Sequence, residues 1–235
     1  MYRETNGCGA TVGYGNTITY GTLLNGSPKA GDAYDCKVRI DGGYTERFYY
    51  IGSDGDNSIL IYYKNMNDQT EYAYDSSGEN YHGPRTGYQY LPSKDEWNNP
   101  RLIAPGTRSI KTESTTYPDT TNNGSNSIES FTYTNKAARF LTYQEVKTAC
   151  KTTTIPNNGS LGSCIFLMEN IGYYEKDSGT RSYGYWLETP RYSNFYYTFG
   201  VWGLSGGYLR VDYSNADKTT YGVRPVITIK TTDLG

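Results

Sequence analysis

Two capping boxes divide this chain. Ser93-Lys94-Asp95-Glu96 stands before Trp97, and Thr142-Tyr143-Gln144-Glu145 stands before Val146. In each, a hydroxyl and a carboxylate three residues on satisfy one another's orphan amides, which marks a helix start. The second helix is expected over 143–150, and a short third over CIFLMENI (164–171). Runs on either side of this middle follow another period. CKVRI (36–40), YTERFYYIG (44–52) and SILIYYKNM (58–66) precede it, separated by Asp41-Gly42-Gly43 and by Ser53-Asp54-Gly55-Asp56-Asn57. YGYWLETP (183–190), YYTFGVWG (196–203), GYLRVDY (207–213) and YGVRPVITI (221–229) follow it. Aromatic and β-branched runs bounded by Gly, Asn and Asp turns read as strands. The order strands, helices, strands points to an α+β fold with mixed or antiparallel sheets, two or three short helices and long loops. The tract 67–90 reads as polar and irregular. TESTTYPDTTNNGSNS, within 105–130, is too polar to bury.

Composition narrows the class. Basic and acidic side chains nearly balance, 22 against 24, so the basic excess of a nucleic-acid or anionic-membrane binder is missing. There are 27 Tyr against 6 Phe and 3 Trp. Tyrosine suits a half-wet pleated surface and serves at recognition sites, since it offers rigid area with a polar tip. With many Thr, Ser, Asn and Gly, this reads as a β-rich extracellular protein. Cys8, Cys36, Cys150 and Cys164 suit that compartment as two disulfides. The local pairing, 8–36 and 150–164, is one of three connectivities. Their spacing does not fit a zinc site. No apolar run reaches the ~18–20 residues that span a bilayer. Met1-Tyr2-Arg3 reads as an imposed start, so an export signal or anchor is expected upstream of it.

ARFLTYQEVKTAC (138–150), GSCIFLMENI (162–171), YGYWLETPR (183–191) and YGVRPVITI (221–229) occur in that order after HGPRTGYQYLPSKDEWNNPRL (82–102). The set resembles the C-type-lectin-like domain of a group of bacterial surface proteins. The wider fold is shared with formylglycine-generating enzymes and with variable proteins diversified by retroelements. The likeness runs from 82 to 229, with a Trp-Leu-x-Thr-Pro element and a Gly-Val-Arg-Pro element as its more specific pair. It implies a C-type-lectin-like core over 82–235 with an N-terminal β-rich element, 1–81, packed on it as one unit. It also implies that strand 223–229 lies in the central sheet, and that a pilin-like anchor precedes Met1, absent from this chain and its only membrane tether. The tract between the two elements is then the most exposed and changeable part. The Asn, Tyr, Ser, Asp, Thr and Gly common between 191 and 220 are what adenine mutagenesis of Asn codons yields, which makes that tract a candidate for hypervariability.

Alternation gives the tract a geometry. Phe199, Val201, Leu209 and Val211 take one side of their strands, and Trp202, Tyr208, Arg210 and Asp212 the other. Tyr213, Asn215 and Asp217 are placed on the loop before Tyr221, and Tyr192, Asn194 and Tyr196 come first. This mixture of rings, guanidinium, carboxylates and amides has the composition of interface hot spots. A solvated face of a Tyr-rich sheet is the plainer alternative. A metal is not expected: Glu188-Thr189-Pro190 lacks the paired amide of a calcium triplet, and Ser53–Asn57 is too short for an EF-hand loop. Nor is an enzyme expected. His82 is the single histidine, its neighbours suggest a loop, and no phosphate loop occurs. Carboxylate pairs for glycoside hydrolysis have no particular support. Trp186 and Leu187 are expected in the core, and Arg224 as a clamp on a carboxylate or carbonyls. The resulting expectation is a non-catalytic adhesin or receptor module, extracellular and cell-surface, needing no cofactor and binding a surface protein or glycan rather than nucleic acid. A structural pilin or wall subunit and a glycan hydrolase are the alternatives.

Overall fold

The Gly55-Asp56 turn sets the first sheet. Gly55 has φ +56°, a left-handed conformation natural to glycine, and it joins two long strands in a tight hairpin. In the computed structural model, residues 7–10, 27–41, 45–67, 70–110, 130–151, 159–160, 162–176, 179–191, 196–204 and 208–234 are described. The hairpin strands are β3 (Thr45–Asp54) and β4 (Asn57–Tyr62). β2 (Ala33–Lys37) and β1 (Cys8–Ala10) extend the sheet on one side, and β13 (Val226–Lys230) on the other. All four pairings are antiparallel, so both ends of the chain share one sheet.

This sheet is covered on both faces. Phe48, Tyr50, Leu60, Tyr62 and Ile227 feed one apolar core; Tyr49, Ile51, Ile59, Ile61 and Val226 feed a second. Alternation along the strands assigns each residue its core. The second core continues under a second sheet of β7 (Gly159–Ser160), β8 (Tyr173–Lys176), β9 (Gly179–Ser182), β11 (Tyr197–Leu204) and β12 (Tyr208–Asn215), with β10 (Tyr185–Pro190) paired to β11. A two-stranded ribbon, β5 (Thr107–Arg108) and β6 (Phe131–Thr132), stands apart. The two large sheets meet at a seam. Arg139 exchanges both backbone hydrogen bonds with Val226, at 3.0 and 2.8 Å, and Leu141 accepts from Glu188 at 2.7 Å. The architecture is therefore α+β and mostly antiparallel.

One α-helix, α1 (Tyr143–Ala149), lies among the described residues. Its capping box is complete: the Glu145 amide donates to Thr142 Oγ1 at 3.1 Å and the Thr142 amide to Glu145 at 2.8 Å. The other box forms without its helix. The Ser93 amide donates to Glu96 at 2.7 Å and the Trp97 amide to the Ser93 carbonyl at 2.9 Å, closing one turn. Asn98-Asn99-Pro100 then halts propagation, since proline disfavours helix in the residue before it and Asn99 turns its amide to the Lys37 carbonyl. The expected helix over 164–171 is a 3₁₀ segment, Gly162–Leu167. The hairpin of β8 and β9 was not expected, and the supposedly irregular tract 67–90 holds two 3₁₀ turns and the buried Tyr74.

Both disulfides, Cys8–Cys36 and Cys150–Cys164, are formed. The first staples β1 to β2; the second ties the end of α1 to the 3₁₀ segment. Arg224, with no solvent exposure, completes that corner. Its guanidinium donates to four carbonyls: Tyr62 at 2.6 Å, Tyr63 at 3.1 Å, Phe166 at 3.1 Å and Leu167 at 2.6 Å. Burial pulls its proton affinity down, while the Tyr185 ring, 5.2 Å from its carbon, adds a cation–π contact. The expected clamp thus closes on carbonyls.

Replacing Arg224 by Ala or Met takes a donor from four buried carbonyls, of which Leu167 keeps the Tyr185 hydroxyl. We expect a loss of at least about 3 kcal/mol in urea unfolding, or no folded protein. The buried tyrosines set an alkaline limit. Burial pushes Tyr185 up to about 12 from 10.0, and lifts Tyr74 and Tyr133 well above that ordinary value. A raised folded pKa favours the protonated form, so this stability is complete below pH 10 and is lost as pH rises from 10 through 12. Tyr185 alone accounts for roughly 2–3 kcal/mol. The urea midpoint is therefore expected to fall steeply from pH 9.5 to 12, and a flat profile contradicts this.

Candidate functional site

The β11–β12 hairpin carries the tract singled out by composition. Its register pairs Phe199 with Tyr213, Val201 with Val211 and Gly203 with Leu209 on one parity. On the other it pairs Thr198 with Ser214, Gly200 with Asp212, Trp202 with Arg210 and Leu204 with Tyr208. Phe199, Val201 and Val211 are buried in the second core, as alternation requires. The backbone thus brings Trp202, Tyr208, Arg210 and Asp212 to positions on one parity. Their side chains, like that of Tyr213, lie outside the described residues, as do Tyr192 and Asn194 altogether.

Two expectations about this tract need correction. Tyr213 and Asn215 are strand residues of β12 rather than loop residues, because the ladder with β11 runs on to Tyr197 opposite Asn215. Tyr213 therefore holds the parity of Val201 and Val211, opposite to that of Trp202. Nor is the Trp202 parity open along its whole length. Thr198 is buried, and its hydroxyl donates to the Thr189 carbonyl at 3.1 Å. At Gly200 the Tyr221 ring lies so close that a Cβ would sit 2.4 Å from it. Glycine is required there because the ring of Tyr221, itself edge-on to Trp186, occupies the space a side chain would take. Trp186 and Leu187 are fully buried, as expected.

The open end of the hairpin has a different character. Tyr196 is 50% exposed, Asp217 is exposed and Asn215 half-buried. The Ala216 amide donates to the Tyr196 carbonyl at 2.7 Å, holding the two strand ends together. Loop 75–83 supports them from beneath. The Asp75 amide donates to the Ala216 carbonyl at 3.0 Å, and the buried Asn80 carboxamide donates to the carbonyls of Arg191, at 3.2 Å, and Tyr197. Arg191 in turn lies 5.8 Å from the Tyr197 ring. Tyr81, 39% exposed, donates its hydroxyl to Glu79 at 2.5 Å, a bond that raises the tyrosine's pKa. Gly78 backs onto Asp217, whose Cβ would lie 3.8 Å from a Cβ at that glycine.

Glu79, Tyr81 and His82 thus border the tract, although over a hundred residues separate them from it in sequence. No spacing could have signalled that, since the link runs through the side chain of Asn80. His82 Nδ1 sits 3.3 Å from Asp75 and 3.7 Å from Glu79. Ser77 Oγ lies 3.4 Å from that same nitrogen. A nucleophilic triad instead needs serine and carboxylate on opposite ring nitrogens.

Other candidate ligand groups are committed elsewhere. Glu188, of the Glu188-Thr189-Pro190 triplet, is buried and accepts from Arg108 at 2.8 and 3.1 Å and from the Tyr133 hydroxyl at 2.8 Å. Among the described residues no three His, Cys, Asp or Glu side chains gather as metal ligands, and no helix is long and apolar enough to cross a membrane.

Removing the Asn80 carboxamide should loosen the base of the tract. Asn80→Ala is expected to speed exchange of the Arg191 and Ala216 amides by about tenfold or more, leaving β13 amides unchanged. Equal acceleration in both places would mean global destabilisation instead. Comparisons with family models, curated proteins and solved structures gave no match.

Proposed function

We propose that this chain is a non-catalytic recognition module of C-type-lectin-like fold, displayed outside a bacterial cell. It binds a surface protein or glycan through residues 192–217, joined by Glu79, Tyr81 and His82. The observation that carries this reading is the contrast at the hairpin's open end. Tyr196, Tyr81 and Asp217 stand in solvent, while the backbone beneath them is tied to buried Asn80 and Asp75. Aromatic area held on a pre-ordered base loses little entropy on binding, which favours a recognition role. The two disulfides support an oxidising, extracellular compartment.

The test is an array of glycans and cell-surface proteins probed with the purified chain, followed by truncations. Tyr196→Ala, Trp202→Ala and Arg210→Ala should each weaken the captured ligand, with at least one losing about 2 kcal/mol, roughly thirtyfold. The melting temperature should hardly change. Undiminished binding in all three would clear this face of the role. Concentration-dependent self-association lost in the same variants would turn the reading toward a structural subunit.

A further inference from the structure

Tyr72 and Tyr90 lie face to face in the tract that precedes the first capping box. Their ring centroids are 3.6 Å apart and their planes 21° from parallel. Aromatic pairs more often settle offset or edge-on at ~4.5–7 Å. At the shorter distance, ring carbons of the two are in van der Waals contact. Two other tyrosine pairs, Tyr62–Tyr63 and Tyr88–Tyr133, meet edge to face at 4.9 and 6.4 Å, each with a buried member. In the stack Tyr90 is 38% exposed and Tyr72 half-buried, so a reagent in solution reaches it from the Tyr90 side.

The backbone under both rings is pinned. The Tyr72 amide donates to the Tyr221 carbonyl at 2.8 Å, and its carbonyl accepts from the Trp186 indole at 2.7 Å. The Tyr72 hydroxyl accepts from the Asn67 carboxamide at 3.0 Å. Tyr90 ends the 3₁₀ turn Gly87–Tyr90. Lys136 Nζ donates to the carbonyls on either side of it, Gln89 at 2.7 Å and Leu91 at 2.6 Å. The encounter of the two rings is therefore intramolecular and ordered in advance, the condition under which a coupling step is fast.

We infer that Tyr72 and Tyr90 form an oxidative cross-linking site, joined as dityrosine through the ring carbons beside their hydroxyls. The co-reactant is hydrogen peroxide, used by a peroxidase that oxidises the exposed ring. Each phenol gives up one electron and its hydroxyl proton, which leaves a phenoxyl radical with spin at those carbons. A radical made at Tyr90 takes an electron and a proton from Tyr72, so a second oxidation at Tyr90 completes the pair. One carbon–carbon bond forms between the rings. The hydrogens of the joined carbons move to the oxygens as protons, and both phenols are restored. The pair loses two hydrogens in all, and the peroxide becomes two waters. The disulfides already place the chain in an oxidising compartment. The new bond, unlike them, withstands thiols, and it fastens the segment around Tyr72 to the turn that ends at Tyr90.

The experiment treats the intact chain with a plant peroxidase and limiting hydrogen peroxide, and isolates the monomer. Trypsin cuts between the two tyrosines at Arg85, so tandem mass spectrometry identifies the bond as a pair of joined peptides lacking two hydrogens. The folded monomer should give this product through Tyr72 and Tyr90. Tyr90→Phe and Tyr72→Phe should each cut its yield about tenfold or more, as should prior unfolding in urea. Tyr88→Phe should leave it unchanged. Oxidation confined to Tyr196, dityrosine found only between chains, or equal yield from the unfolded chain overturns the assignment. Should a variant misfold, the joined peptides of the unaltered chain, folded against unfolded, still decide it.

Discussion

A buried positive charge holds this fold together at one point. Arg224 has no exposure, yet its guanidinium meets the carbonyls that end β4, at Tyr62 and Tyr63, and those of the 3₁₀ segment, at Phe166 and Leu167. The Leu167 carbonyl also accepts from the Tyr185 hydroxyl of β10, at 2.9 Å. One side chain therefore joins the first sheet, the second sheet and the segment that Cys164 fastens to α1. Arginine's planar fork suits this work, because five fixed donors can serve several carbonyls at once. Moved out of water without those acceptors, the charge would cost several kcal/mol.

Given that corner, the remaining architecture divides into parts that are locked and a part that is presented. The locked parts use tyrosine as core material: Tyr74, Tyr133 and Tyr185 are buried, with hydroxyls donating to the Glu188 carbonyl, the Glu188 carboxylate and the Leu167 carbonyl. Each ring contributes apolar area while its polar tip is satisfied. The presented part is the end of the β11–β12 hairpin with loop 75–83. There Tyr196 and Tyr81 face water, over backbone that Asn80 and Asp75 secure. The proposed recognition role rests on that difference in how one residue type is used.

Much of the fold was legible because it follows local periodicities. The strands at 44–52, 58–66 and 196–203 lie close to β3, β4 and β11, since apolar alternation, turn glycines and register agree there. The 142–145 box gave its helix because nothing after Val146 opposes one. The 93–96 box did not, because Pro100 and the two asparagines before it outweigh the cap. Tyrosine content was read as surface chemistry, whereas many of these rings lie inside; side-chain identity does not tell which polar tip will find a buried acceptor. The partnership of loop 79–82 with residues 196–217 was invisible, because it depends on long-range hydrogen bonds from one carboxamide. Likewise, no pattern announced that Tyr221 would cover Gly200.

The proposed recognition role requires Trp202 and Tyr208, on the parity opposite Val201, to reach solvent as Tyr196 does. Hydroxyl-radical footprinting of the free chain, read by mass spectrometry residue by residue, tests it. The account predicts that Trp202, Tyr208 and Tyr196 oxidise at least about tenfold faster than Tyr74, Tyr133 and Tyr185. Protection of Trp202 and Tyr208 to the level of Tyr185 would place them in the interior and contradict it.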